Sequence, residues 1–378
     1  MIFRRIIDTV SITGAAGVAI TTDQTLTYRI RQEPRRLEAI VLNIRHPGML
    51  SAAANSKMYD NGLSSLVKEV RLRVNDNLGS RNMIQVKGGD LMEWNRQNGI
   101  QWDPDSFEAC PTHIASASAQ LGFGASITNQ VNLFIPIRHP LFEEPFGNFL
   151  SLPLGQDFLR EDPIIEIDLG QLSTFSTLYT ANAGNVIVNA MFLYREVPKN
   201  VPYIPSEFRT DSWRWQGTGK QQYEFASNGF LTQFMLRNFD SSNLERGAVP
   251  AANELWSLEY GREILARFDE RIMAAFNFMS GPSGAIGTNN TTGGSGMYRF
   301  VGGNNQPAYG CMVDFLADLP ITSAFGISSV PNLSTLNLGG DKLRLSTVVG
   351  TAGTTRVSYQ KLLPPSADKL KQLLSTGV

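Results

Sequence analysis

The chain is short of the residues that most site chemistry needs. Its 378 residues include three histidines and two cysteines. His46, His113 and His139 stand far apart and the second half has none. A metal-dependent double cupin or a copper monooxygenase, which needs clustered imidazoles, therefore lacks its ligands. Cys110 and Cys311 fall one in each half, set up no disulfide framework, and read as buried thiols of a reducing compartment. Cys110 has only His113 near it, with Pro111 between, which is no arrangement for an activated nucleophile. Neither Asp-Thr-Gly nor Asp-Ser-Gly occurs, so the duplicated aspartic-protease plan is excluded. Gly-x-Ser-x-Gly, the phosphate-binding Walker loop and the dinucleotide fingerprint are missing too. No apolar run reaches the ~18 residues of a membrane-crossing helix. The first residues, Met1-Ile2-Phe3-Arg4-Arg5, lack the apolar core of a secretory signal, so no export is expected.

Charge of either sign in excess is also lacking. Lys plus Arg number 33 and Asp plus Glu 34, a net charge of −1, so nothing global marks nucleic-acid binding. Near neutrality limits self-repulsion, which suits a protein that associates with its own copies. Acid pairs at Glu143-Glu144 and Glu161-Asp162 have the residue type of a glycosidase site, but adjacent loop acids are ordinarily solvated surface. Trp213 and Trp215 have the type to stack on sugar rings; packing of a linker is the simpler reading.

What is present points to strands. Apolar residues make up 42% and charged residues 18%, with 34 Gly, 19 Pro and 21 Phe, the mixture of a folded all-β chain with many turns. The pattern then repeats. Tyr28, Ile30, Leu37, Ile40 and Leu42 are echoed by Tyr223, Phe225, Leu231, Phe234 and Leu236. Leu91-Met92 matches Ile272-Met273, Leu133 and Ile135 match Val313 and Phe315, Leu152 matches Leu333, and Ile165 and Ile167 match Leu343 and Leu345. The spacing between partners shortens along the chain, as loops of unequal length between matching strands would cause.

Strands are predicted at 26–30, 37–44, 69–74, 130–137, 149–154, 164–169 and 186–195 from alternating apolar residues. Short helices are predicted at Asp90 to Asn95 and at Asp269 to Phe278, each after an early strand pair. The organisation expected is an N-terminal arm at 1–24, a first β domain at 25–197, a proline-bearing linker at 198–216, a second β domain at 217–363, and a tail with a short helix at 364–378. Residues 279 to 305, rich in Gly, Asn, Ser and Thr, read as a long exposed loop. About eight strands per domain is the count of a jelly roll, two antiparallel sheets face to face.

Two tandem eight-stranded antiparallel jelly rolls with short inserted helices, and no catalytic constellation, resemble the double jelly-roll major capsid proteins of tailless icosahedral viruses. Tectiviruses, corticoviruses and adenoviruses carry such proteins, and the small size looks more like a bacterial virus. The resemblance covers about 25 to 363 and rests on organisation, with Asp90 to Asn95 and Asp269 to Phe278 as local support. It implies a structural subunit without enzymatic activity or cofactor, found in the virion and, during assembly, in the host cytoplasm. Three copies would form a trimer of pseudo-hexagonal outline that tiles an icosahedral shell around the genome. It implies as partners the chain itself, minor capsid and vertex proteins, and an internal lipid membrane or packaged nucleic acid. Residues 1–50 carry seven Arg against four acids, and Arg4 and Arg5 beside Ile6 and Ile7 are the candidates for that inner contact. The alternatives are a two-sandwich glycan-directed hydrolase and a sugar-binding virion protein.

Overall fold

The computed structural model describes residues 5–51, 62–76, 79–97, 127–137, 150–171, 179–181, 185–196, 203–215, 217–226, 228–240, 249–269, 310–314, 336–337 and 341–363. They fall into two compact units. Side chains of a strand alternate between faces, so a strand with one face in a core shows burial with period two. Ile164–Leu169 shows that rhythm from end to end, and Ile187–Arg195 shows it as far as Tyr194.

The first unit holds β1 (Arg5–Ser11), β2 (Gln24–Arg29), β3 (Arg36–Ser51), β4 (Val67–Asp76), β5 (Gly79–Val86), β6 (Ile127–Pro136), β7 (Leu152–Pro153), β8 (Ile164–Leu169), β9 (Tyr179–Ala181) and β10 (Ile187–Arg195). Short β7 and β9 add to β3. The other eight form two sheets, in the orders β1-β10-β3-β6 and β2-β8-β4-β5. Counting those eight along the chain, the first pairs the eighth, the eighth the third and the third the sixth; the second pairs the seventh, the seventh the fourth and the fourth the fifth. That is jelly-roll topology. Ile40, Leu42, Leu133, Ile135, Val188 and Phe192 of one sheet, and Val70, Leu72, Ile84, Ile165 and Ile167 of the other, are fully buried. Each such side chain contributes about 1.5–3 kcal/mol when removed from water. Tyr28 of β2 stacks on Phe192 of β10 with ring centroids 5.5 Å apart, joining the two sheets through the core.

Between β5 and β6 runs helix α1 (Gly88–Gln97), with Asp90 in its first turn. Leu91, Met92 and Trp94 are buried, and the Asn95 side-chain amide donates to the Phe134 carbonyl at 2.8 Å. Its first residue must be glycine, because a Cβ at Gly88 would lie 2.3 Å from the Ser64 carbonyl oxygen and 2.6 Å from Val67 Cβ.

The second unit repeats the plan. It holds β11 (Ser206–Trp215), β12 (Gly219–Glu224), β13 (Phe230–Phe239), β14 (Trp256–Tyr260), β15 (Glu263–Phe268), β16 (Gly310–Asp314), β17 (Leu336–Asn337), β18 (Leu343–Val349) and β19 (Gly353–Leu362). Its sheets are β16-β13-β19-β11 and β12-β18-β14-β15, with β17 on β13. The pairing order of the first unit recurs strand for strand, so the chain is a double jelly roll. Aromatic rings fill this core: Tyr223 meets Phe225 edge-on at 4.9 Å, Phe225 meets Phe234 at 5.3 Å, and Trp215 meets Trp256 at 6.2 Å. Such pairs add about 0.5–1.5 kcal/mol beyond burial. Strands β13 and β19 are buried on both faces.

Two segments differ from the organisation expected of the sequence. The expected arm 1–24 contains strand β1, paired antiparallel with β10 from Arg5↔Arg195 to Ser11↔Asn189. As an edge strand it is largely exposed, so Ile6, Ile7 and Val10 give no clean alternation. The expected linker 198–216 contains β11, paired with β19 from Ser206↔Leu362 to Trp215↔Gly353. Its inward face carries Glu207 and Asp211, whose charge conceals the pattern. Strand β5 was also not anticipated, whereas α1 lies where a helix was predicted. The second predicted helix beyond Asp269, the 279–305 loop and the helix near the C-terminus lie outside the described residues.

Candidate assembly surfaces

Arg5 is the one described member of the Arg4-Arg5 pair; Arg4 lies outside the described residues. Its side chain is 58% exposed, and its Nε lies 3.4 Å from a Glu38 carboxylate oxygen. The other oxygen of Glu38 lies 2.7 Å from Arg195 Nε, so a buried carboxylate is held between an outward and an inward guanidinium. Two residues along β1, Ile7 is 60% exposed, the most exposed large apolar residue described. By register, Ile7, Thr9, Leu193, Met191, Val41 and Phe134 share the outward face of this sheet, beyond which Asn43 donates to Asn132 at 2.7 Å. The edge strand thus brings exposed apolar and cationic side chains together, beside a strand edge that no other described strand pairs, the makings of a protein contact.

The outer face of the first unit's second sheet is polar. Arg71 on β4 reaches Asp168 at 2.8 Å and Glu166 at 3.1 Å on β8, and Glu69 at 3.3 Å. Thr25 of β2 donates to Asp168 at 2.6 Å and Gln85 of β5 to Glu69 at 3.1 Å, so the network crosses all four strands. Individually such exposed pairs are worth about 0–1 kcal/mol. Their effect is to fix register and keep this face hydrated.

In the second unit, Lys220, Glu254, Leu255, Glu259, Ile264 and Arg267 line a concavity of about 430 Å³ on the β12-β18-β14-β15 sheet. Leu255 and Ile264 are 44% and 49% exposed there. Glu259 accepts a hydrogen bond from Ser346 at 2.8 Å. Nearby, the Lys342 ammonium at 2.8 Å, helped by Arg344 at 3.3 Å, holds the Glu224 carboxyl below the usual carboxylate range. No imidazole or thiol lines the concavity among the described residues.

Among the described residues, the side chains with site chemistry each serve the fold. His113, His139, Cys110, Glu143 and Glu144 lie outside the described residues, His46 is on β3 and Cys311 on β16. Asp162 accepts the Gln32 backbone N–H at 3.1 Å, a loop-fixing role. Trp215 is a core residue whose Nε1 donates to Thr355 Oγ1 at 2.7 Å, and Trp213 packs edge-on against Tyr223 at 5.0 Å. Trp215 is buried and offers no stacking platform, whereas Trp213 is 37% exposed. No group of three metal-ligating side chains is found among the described residues.

The fold is the one seen in viral major capsid proteins built of two jelly rolls. The chain is similar to the STIV MCP, with 11% identity, 97% of this chain and 99% of that chain covered and a TM-score of 0.65. It is similar to a chain of the atomic structure of Sulfolobus turreted icosahedral virus, with 12% identity, 98% of each chain covered and a TM-score of 0.65. It is similar also to the major capsid protein of bacteriophage PM2, with 9% identity, 96% and 99% covered and a TM-score of 0.52. At such identities the likeness is one of fold. No protein-family profile matches the chain, and no curated protein sequence matches it.

Proposed function

We propose that the chain is a major capsid protein that forms trimers of pseudo-hexagonal outline and self-assembles into an icosahedral shell around a viral genome. The observation that carries this reading is the duplication itself. Two jelly rolls with the same strand order lie in one chain, and capsid proteins match it over nearly the full length of both partners. Three such chains supply six similar sandwiches, which lets a three-fold assembly occupy a lattice of local six-fold shape. The reading has no enzymatic step and no cofactor. Its partners are further copies of the chain, minor capsid and vertex proteins, and, through Arg5 and Ile7 on β1, a lipid membrane or packaged nucleic acid beneath the shell. Its location is the virion, reached from the host cytoplasm.

Electron microscopy of the purified protein is the test. Six-lobed blocks of three chains are expected, joining edge to edge when concentrated. Isolated two-lobed particles at every concentration would overturn the reading.

A further inference from the structure

Lys361 on β19 is 1% exposed, unusual for a primary amine, and its surroundings are chemically specific. The Nζ donates to the Asn228 side-chain oxygen at 2.6 Å and lies 3.2 Å from Glu207 Oε2, with the Tyr359 ring 5.9 Å away. Glu207 is directly opposite Lys361 in the β11 to β19 register, and its side chain is 11% exposed. Asn228 sits in the turn that leads into β13. Gly229, with φ of 85°, presses this turn onto the end of β19: a Cβ there would come within 2.5 Å of the Leu362 carbonyl oxygen. The turn is held further by the Asn228 N–H donating to the Ala226 carbonyl at 2.9 Å. A sheltered amine, a carboxamide in contact with it and a carboxylate within reach of the amine are thus fixed by three different segments.

We propose that Lys361 and Asn228 condense into an intramolecular isopeptide bond, promoted by Glu207. The Glu207 carboxylate takes a proton from the Lys361 ammonium, freeing the Nζ lone pair to attack Asn228 Cγ. The Nζ–Cγ bond forms and the Cγ–Nδ2 bond breaks. Protons returned by way of Glu207 let Nδ2 leave as ammonia, and one ammonium and one carboxamide become one secondary amide and one ammonium ion. Nothing is oxidised or reduced. Holding amine and amide in contact removes the entropic cost that keeps this reaction negligible between separate molecules. Asn228 is at the surface, which gives the leaving ammonia an exit. The product ties β19 covalently to the β12–β13 turn of the second jelly roll. This inference is independent of any role in a capsid.

The test is intact-mass spectrometry of the denatured full chain, with sequencing of the branched peptide. The wild-type chain is expected to be lighter by one ammonia and to yield a peptide joining Lys361 to Asn228. E207Q and K361R are expected to keep the full mass while retaining the native circular dichroism. A wild-type chain at full mass overturns the proposal. So does an ammonia loss that persists in K361R, which would mark a cyclic imide at Asn228-Gly229 instead.

Discussion

Asp211 illustrates how single residues govern the second core. Its carboxylate accepts from the hydroxyls of Tyr223 at 2.9 Å and Tyr359 at 3.2 Å, two rings otherwise packed in hydrocarbon. Asp211→Ala is expected to cost about 1–3 kcal/mol for each hydroxyl left without an acceptor. Denaturant titration measures this, and adding Tyr223→Phe and Tyr359→Phe is expected to restore part of the loss. Burial, then the Asp211 charge, pushes both phenols far above their usual range. Burial also pushes Tyr194 up to about 12, with Arg35 opposing it. A pKa raised on folding means that stability is complete below the unfolded value of about 10 and is lost as pH climbs toward each folded value. Phenolate absorbance in an alkaline titration is therefore expected to lag for these three tyrosines and to rise with loss of near-ultraviolet dichroism. Titration of every tyrosine in one step near pH 10 with the fold intact would contradict the assignment. The sequence marked Tyr223 as an apolar repeat position, but the pairing of Asp211 with it was not legible, since only the strand register brings them together.

Elements were legible where burial followed one clean period. Strands β2, β3, β4, β8 and β10 were marked by alternating Leu, Ile and Val, and the match of Tyr28 to Tyr223 and of Leu37 to Leu231 aligned β2 with β12 and β3 with β13. Those that escaped include β5, the edge strand β1 and strand β11, the last with inward Glu207 and Asp211 that carry partners from distant strands. Apolar patterning reports burial, and a strand that is barely buried or that buries paired charge is invisible to it. Helix α1 offers a sharp test of packing. Gly88→Ala forces the chain away from Ser64 and Val67, and a loss of about 1–3 kcal/mol is expected, as for other overpacked cores. Trp256→Ala, which empties the centre of the second core, is expected to cost about 3–5 kcal/mol by the same denaturant measurement. Because β1 is a paired strand, deleting residues 1–24 is expected to uncover the β10 edge and lower the melting temperature, not simply to remove a dispensable arm.

For the whole molecule, duplication is the property on which the proposed function turns, and it is readable from the echo of apolar positions in the sequence. The surfaces that would join copies were not readable, because exposure of Ile7 on β1 depends on where the sheet ends. Ile7→Lys is expected to leave stability within about 0.5 kcal/mol, since the side chain is already in water. If β1 lies in a contact between copies or beneath the shell, the same change is expected to reduce assembled particles in sedimentation. The most direct test of the capsid account is the mass of the purified chain by light scattering during size exclusion, at several concentrations. A species of three times 41.6 kDa that survives dilution is the predicted result. A single 41.6 kDa species at all concentrations would contradict it.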